Sequence, residues 1–197
     1  GEANTTGTQN TAIGKRSLEA NTSGTLNTAV GELSLSLSTT ATGNTAVGWK
    51  AGEKATTGGY NTSTGYAAGQ NTTTGTFNVA AGSGALGANT TGGYSVAVGN
   101  DALRNNTTAS SNVAVGYNAL NTNVTGTSNV AVGSQALQTS TANSNTACGH
   151  NAMRLTSSGA SNVAVGTQAM DVNTTGGENT AVGDQALKAK TTAGQNT

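Results

Sequence analysis

Asn162-Val163-Ala164-Val165-Gly166-Thr167-Gln168-Ala169-Met170 is a phrase that the chain repeats along its length. With Asn as position 1, units begin at Asn10, Asn27, Asn44, Asn61, Asn78, Ser95, Asn112, Asn129, Asn145, Asn162, Asn179 and Asn196. Every step is 17 residues except that from Asn129 to Asn145, which is 16. The consensus is Asn-[Thr/Val]-Ala-Val-Gly-x-x-Ala-Leu-x-x-Asn-Thr-Thr-Gly-x-x. A short fixed period describes an array of stacked units rather than a globule around one core. Residues 1–197 read as one such array, with both ends cut within a repeat.

Composition narrows the class further. Hydrophobic residues make up 34% of the chain, with one Phe, one Trp and 29 Gly, too little bulk for an ordinary core. Such low complexity is common in disordered tracts, but those have no reason to hold an apolar residue at one phase through eleven units. Eight basic residues balance eight acidic ones, so there is no electrostatic footprint for nucleic acid or an anionic membrane. Apolar runs last only a few residues, which argues against membrane insertion of this segment.

The constrained positions point to a coil. Position 5 is Gly throughout: Gly14, Gly31, Gly48, Gly65, Gly82, Gly99, Gly116, Gly133, Gly149, Gly166 and Gly183. A residue type so fixed is expected where φ is positive or a Cβ has no room, that is, at a corner. Position 3 is Ala apart from Ser63, and position 9 carries Leu or Met apart from Gly52 and Gly69. Segments of four or five β-prone residues, broken by this Gly and by Asn-Thr-Thr-Gly, cannot sustain a helical period. Each unit is expected to form two short strands and two turns, one coil of an all-β parallel β-solenoid. At about 4.8 Å per coil the stack would extend roughly 50 Å. Asn at position 1, as at Asn10, Asn27, Asn44, Asn112 and Asn162, would form a ladder along a corner, and the Thr pairs at positions 13 and 14 a second column. Cys148 is alone and takes position 4, where it reads as a buried stand-in for Val. Small Ala columns beside larger Val and Leu columns suggest two packed surfaces, one within the coil and one against sister chains. A parallel homotrimer follows as the expected assembly.

The segments Asn27-Thr-Ala-Val-Gly31, Asn112-Val-Ala-Val-Gly116 and Asn179-Thr-Ala-Val-Gly183 resemble the repeats of YadA-like trimeric autotransporter adhesin heads. They are closer still to the Asn-Thr-Ala-Val-Gly arrays of bacteriophage tail-fibre proteins and fibre-like bacterial surface proteins. The resemblance covers essentially the whole chain. It implies a trimeric, left-handed parallel β-roll serving as a fibre shaft or adhesive head, outside the cell on a virion or a bacterial surface. The unit here is longer than that of adhesin heads, and this segment has no coiled-coil neck or membrane anchor.

Chemistry is sparse. There is no nucleophile-base-acid constellation, paired-His metal motif or phosphate loop, so neither an enzyme nor a cofactor is expected. The sole histidine, His150, falls at position 6 and reads as a solvated turn residue. A depolymerase would need paired carboxylates in one groove, and the eight acids are scattered. Five of the six aromatics fall between residues 49 and 94: Trp49 and Tyr66 at position 6, and Tyr60, Phe77 and Tyr94 at position 17. On one reading Trp49 and Tyr66 replace core volume lost at Gly52 and Gly69, while the other three form a stabilising ladder. On the other, the strip contacts a cell-surface glycan or protein receptor. The function expected is a structural and adhesive fibre segment. The alternative is an ice-binding solenoid, against which stand the Val residues interrupting position 2 and the opposite faces expected of positions 13 and 14.

Overall fold

The computed structural model describes residues 3–189, 191, 192 and 194–196. Among them there is no helix, and eleven three-residue strands form one parallel sheet in sequence order. β1 is Thr11–Ile13, β2 Thr28–Val30, β3 Thr45–Val47, β4 Thr62–Thr64, β5 Val79–Ala81 and β6 Val96–Val98. β7 is Val113–Val115, β8 Val130–Val132, β9 Thr146–Cys148, β10 Val163–Val165 and β11 Thr180–Val182. Each residue pairs with its equivalent one unit on, as in Thr11 with Thr28 and Ala12 with Ala29. The protein is a parallel β-solenoid with one 17-residue unit per coil.

Only one regular strand occurs per coil, at positions 2 to 4, where two were expected. The cause lies in the backbone angles. Gly at position 5 has φ between +126° and +141°, the corner foreseen for it. Ordinary residues at positions 7, 9 and 17 are also left-handed, as in Asp101 (+54°), Leu103 (+50°) and Ser111 (+62°). These extra bends leave the rest of the unit too crooked for a second strand. The expected corner at Asn-Thr-Thr-Gly falls instead at position 17. From position 12 to the next position 1 burial repeats every third residue, in a three-sided rather than a pleated segment. Coil-to-coil hydrogen bonds still continue around the loop, as in Leu103 N–H to the Ala119 carbonyl (3.0 Å) and Thr90 N–H to the Thr107 carbonyl (2.8 Å).

Two halves make up the interior. The apolar half is built from Ala at position 3, a small residue at position 8 and Leu or Met at position 9; Ala97, Ala102 and Leu103 in coil six are all fully buried. The polar half is an amide lattice. Asn112 Oδ1 accepts the Asn129 N–H at 2.9 Å, while its Nδ2 donates across the coil to the Gly126 carbonyl at 2.8 Å. Asn123, at position 12, donates to that same carbonyl at 2.8 Å. The position-1 bond across the coil recurs at Asn10, Asn27, Asn44 and Asn162, so the Asn column is satisfied and, beyond the half-buried Asn10 of the first coil, buried. Gly52 and Gly69, with Ser63 in place of Ala, divide the apolar half into two clusters, one holding Leu18 and Leu35 and the other running from Ala68 to Ala181.

The short unit is accommodated without a register shift. Val130 pairs with Thr146, so the strand ignores the missing residue. Asn129 reaches the Ala142 carbonyl over 13 residues instead of 14, and Thr141 Oγ1 keeps the position-13 bond to the Ser157 carbonyl at 3.0 Å. What coil eight lacks is therefore position 14, an exposed residue in other coils.

Candidate functional site

Strand parity decides which side chains meet solvent. Ala at position 3 points inward, so positions 2 and 4 point out, and the larger aliphatics of the strand lie on the surface. Val98 is 38% and Val132 37% exposed. Cys148, in the same column, is exposed rather than buried, because position 4 faces away from the core. From β5 to β8 this outer face is Val or Ala at both positions; from β1 to β4 position 2 is Thr. The four all-apolar strands, each three residues long, give a continuous apolar footprint of about 200 Å².

The aromatic residues flank this face in two separate columns. Tyr60, Phe77 and Tyr94, two residues before their strands, stack with ring centroids 5.2 and 5.3 Å apart. Trp49 and Tyr66, two residues after theirs, stack at 4.6 Å, and Lys50 Nζ lies 4.6 Å from the indole centroid. Trp49 and Tyr66 do not replace core volume: they are 36% and 59% exposed, because position 6 lies past the Gly corner and faces outward. The space beside Gly69 is taken instead by Ser63, whose Oγ would lie 2.5 Å from a Cβ there. His150, at position 6 of coil nine, is exposed.

The position-6 stack borders a recess of about 440 Å³. Coil five supplies its floor with Ser83, Gly84, Gly87 and Ala88. Trp49, Tyr66, Gln70 and Asn71 stand on one side, Arg104 and Asn105 on the other. Arg104 Nη1 donates to Asp101 Oδ1 at 2.6 Å, so the guanidinium charge is offset at the rim. Asn71 Nδ2 donates to the Gly87 carbonyl at 2.5 Å and Gln70 Nε2 to Glu53 Oε2 at 2.7 Å, which hold these amides in place. Reading the aromatic residues alone misses the coil-five floor. The signal was present in the aligned units, since only coil five has Gly at both positions 7 and 10.

Among the described residues no three His, Cys, Asp or Glu side chains group to hold a metal ion, and no helix is long and apolar enough to cross a membrane. The remaining ion pairs, Arg16 with Glu19 (2.6 Å), Lys50 with Glu53 (3.8 Å) and Arg154 with Asp171 (3.0 Å), join neighbouring positions on the coil surface. No family model, curated protein or solved structure matches the chain.

Proposed function

We propose that this chain is a structural and adhesive fibre segment, a shaft or head of a phage tail fibre or bacterial surface adhesin, assembled as a parallel, left-handed homotrimer outside the cell. The observation that carries the reading is the inverted placement of small and large residues. Along the strand the small residue, Ala in all but Ser63, faces the interior, while Val98, Val115 and Val132 form an unbroken apolar column on the outer side. A monomer gains nothing from keeping such a column wet, whereas three copies turned towards a common axis would bury it. Each Val is already some three-fifths covered in the single coil, so burying the remainder contributes roughly 0.5–1 kcal/mol per Val, and the column recurs at the same phase in nearly every coil. The stacked aromatic columns along the flanks of the coil support adhesion as its task.

The test is the solution mass. Three times the 19.1 kDa chain mass is expected, with replacement of Val98, Val115 and Val132 by Ser yielding a monomer of unchanged circular dichroism. A wild-type monomer, or a trimer indifferent to those substitutions, refutes the assembly. A second reading, ice binding, draws on the flat face with Thr11, Thr28, Thr45 and Thr62 in register. It is disfavoured by the Val residues that replace Thr from β5 to β8. The Thr column at position 13 does not help it, because those hydroxyls are engaged, as in Thr90 Oγ1 donating to the Thr107 carbonyl at 3.0 Å. Thermal hysteresis from a monomer would establish the ice-binding reading in place of the fibre.

A further inference from the structure

We propose that the recess above Tyr66 is a binding slot for a neutral pyranose, in which a sugar ring continues the aromatic column where the protein's own rings stop. The column at position 6 runs Trp49, Tyr66, Ser83 and Asn100. One ring already sits on another at 4.6 Å, close to the coil spacing, so the column is built at the pitch of stacked rings. At Ser83 a third ring is missing while the pitch continues. From Tyr66 to Asn100 is two coil steps, about 10 Å, which admits one flat ring between them.

Coil five is cut back on the same flank. Gly84, Gly87 and Ala88 stand where neighbouring coils carry Ala67, Gln70 and Asn71 or Asp101, Arg104 and Asn105. A Cβ on Gly84 would meet the Asp101 carboxylate and lie 3.2 Å from Arg104 Nη1, so that ion pair leans over this coil as an upper lip. The recess, about 440 Å³, falls within the size range of small-ligand sites and has room for a mono- or disaccharide.

The lining selects the ligand class. A pyranose presents a face of C–H groups, which the electron-rich face of a Tyr or Trp ring attracts, and a rim of hydroxyls that needs donors and acceptors. Tyr66 supplies the platform. Ser83, Gln70, Asn71, Asn105 and Arg104 supply the rim, with the amides of Gln70 and Asn71 already held by Glu53 and the Gly87 carbonyl. An apolar peptide side chain would cover the Ser83 hydroxyl and the amide oxygens of Gln70 and Asn71 without replacing their bonds to water, at a cost that a polyol avoids. An anionic ligand is not favoured, because the Arg104 charge is matched by Asp101 at 2.6 Å. As an attachment site the slot rests on the fibre reading; as a binding site it rests on these residues alone.

Trp49 is the sole tryptophan, so its fluorescence reports on this flank without labelling. The full chain is titrated with methyl β-D-glucopyranoside, methyl β-D-galactopyranoside, methyl α-D-mannopyranoside and N-acetyl-D-glucosamine. Emission and saturation-transfer NMR are followed together. At least one sugar is expected to bind saturably in the millimolar range, with transfer strongest to the C–H protons of one ring face. Ser83→Tyr, which installs the residue found at position 6 in coils four and seven, is expected to weaken binding at least tenfold with unchanged circular dichroism. Tyr66→Ala should do the same, and Tyr94→Ala, in the other column, should not. Absence of binding by all four sugars, or undiminished binding in Ser83→Tyr, overturns the slot. A trimer that binds none of them sinks the slot alone; a monomer that binds one sinks the fibre reading and leaves the slot standing.

Discussion

Position 9 shows how finely single residues are balanced here. Leu103 and Leu120 hold φ near +50°, which costs an L-residue about 1–2 kcal/mol, and they are offset by burial contributing about 1.5–3 kcal/mol. The near cancellation explains why Gly52 and Gly69 are tolerated: Gly forfeits the burial but escapes the backbone cost. The two glycines should nevertheless respond differently to Leu. At Gly52 the nearest obstacle is Leu35 Cδ2, a terminal methyl 3.0 Å from the added Cβ that must give by a few tenths of an ångström. Gly52→Leu is expected to join the two core clusters and stabilise the protein by about 1 kcal/mol, read as a higher unfolding midpoint. At Gly69 the obstacle is Ser63 Oγ at 2.5 Å. Gly69→Leu should lower the midpoint, and adding Ser63→Ala should restore it; additivity in that double-mutant cycle would contradict the packing described.

At the scale of the element, the strand is too short to hold itself, and the amide lattice fixes where it begins. Asn112→Ala would strip the buried Asn129 N–H of its acceptor, at about 1–3 kcal/mol in urea unfolding. Asn112→Ser should cost markedly less, because Ser95 already performs the acceptor role in coil six, taking the Asn112 N–H at 3.3 Å. Equal losses for Ala and Ser would mean that the lattice does not set the corner. Coil eight provides a second test. A Thr inserted between Thr141 and Ala142 restores the exposed position 14 and is expected to change stability by no more than about 0.5 kcal/mol. One residue inserted between Ala131 and Val132 would instead exchange the inner and outer faces of β8 from that point and should abolish cooperative unfolding.

For the whole molecule, the proposed assembly has a stated physical character: apolar, uncharged and parallel. Its unfolding midpoint should rise with protein concentration, since association stabilises only the folded chain. Molar salt, which shrinks the Debye length to about 3 Å, should leave the assembled mass unchanged, because the outer face of β5 to β8 carries no charge to screen. Dissociation in salt would point to an interface made by the ion pairs on the other flank.

The period by itself determined the coil, the parallel register and the corner at Gly14 and its ten equivalents, because repetition at 17 residues puts like beside like whatever the path between them. The alignment of the Leu103 and Asn112 columns was legible for the same reason. Which parity of the strand faces inward was not. Hydrophobicity alone favours Val98 inside, and the structure puts Ala97 there. The interior width is set by left-handed turns at Asp101, Leu103 and Ser111, and of these residue types only Asp is enriched in that conformation. With the corners drawn in this tightly, the chain has room for a methyl group opposite each Leu and no more, so the larger side chains of the strand go out. The recess by Tyr66 likewise exists only once coils four, five and six are stacked, when the missing bulk of Gly87 becomes a space walled by Gln70 and Asn71 below and by the Asp101–Arg104 pair above.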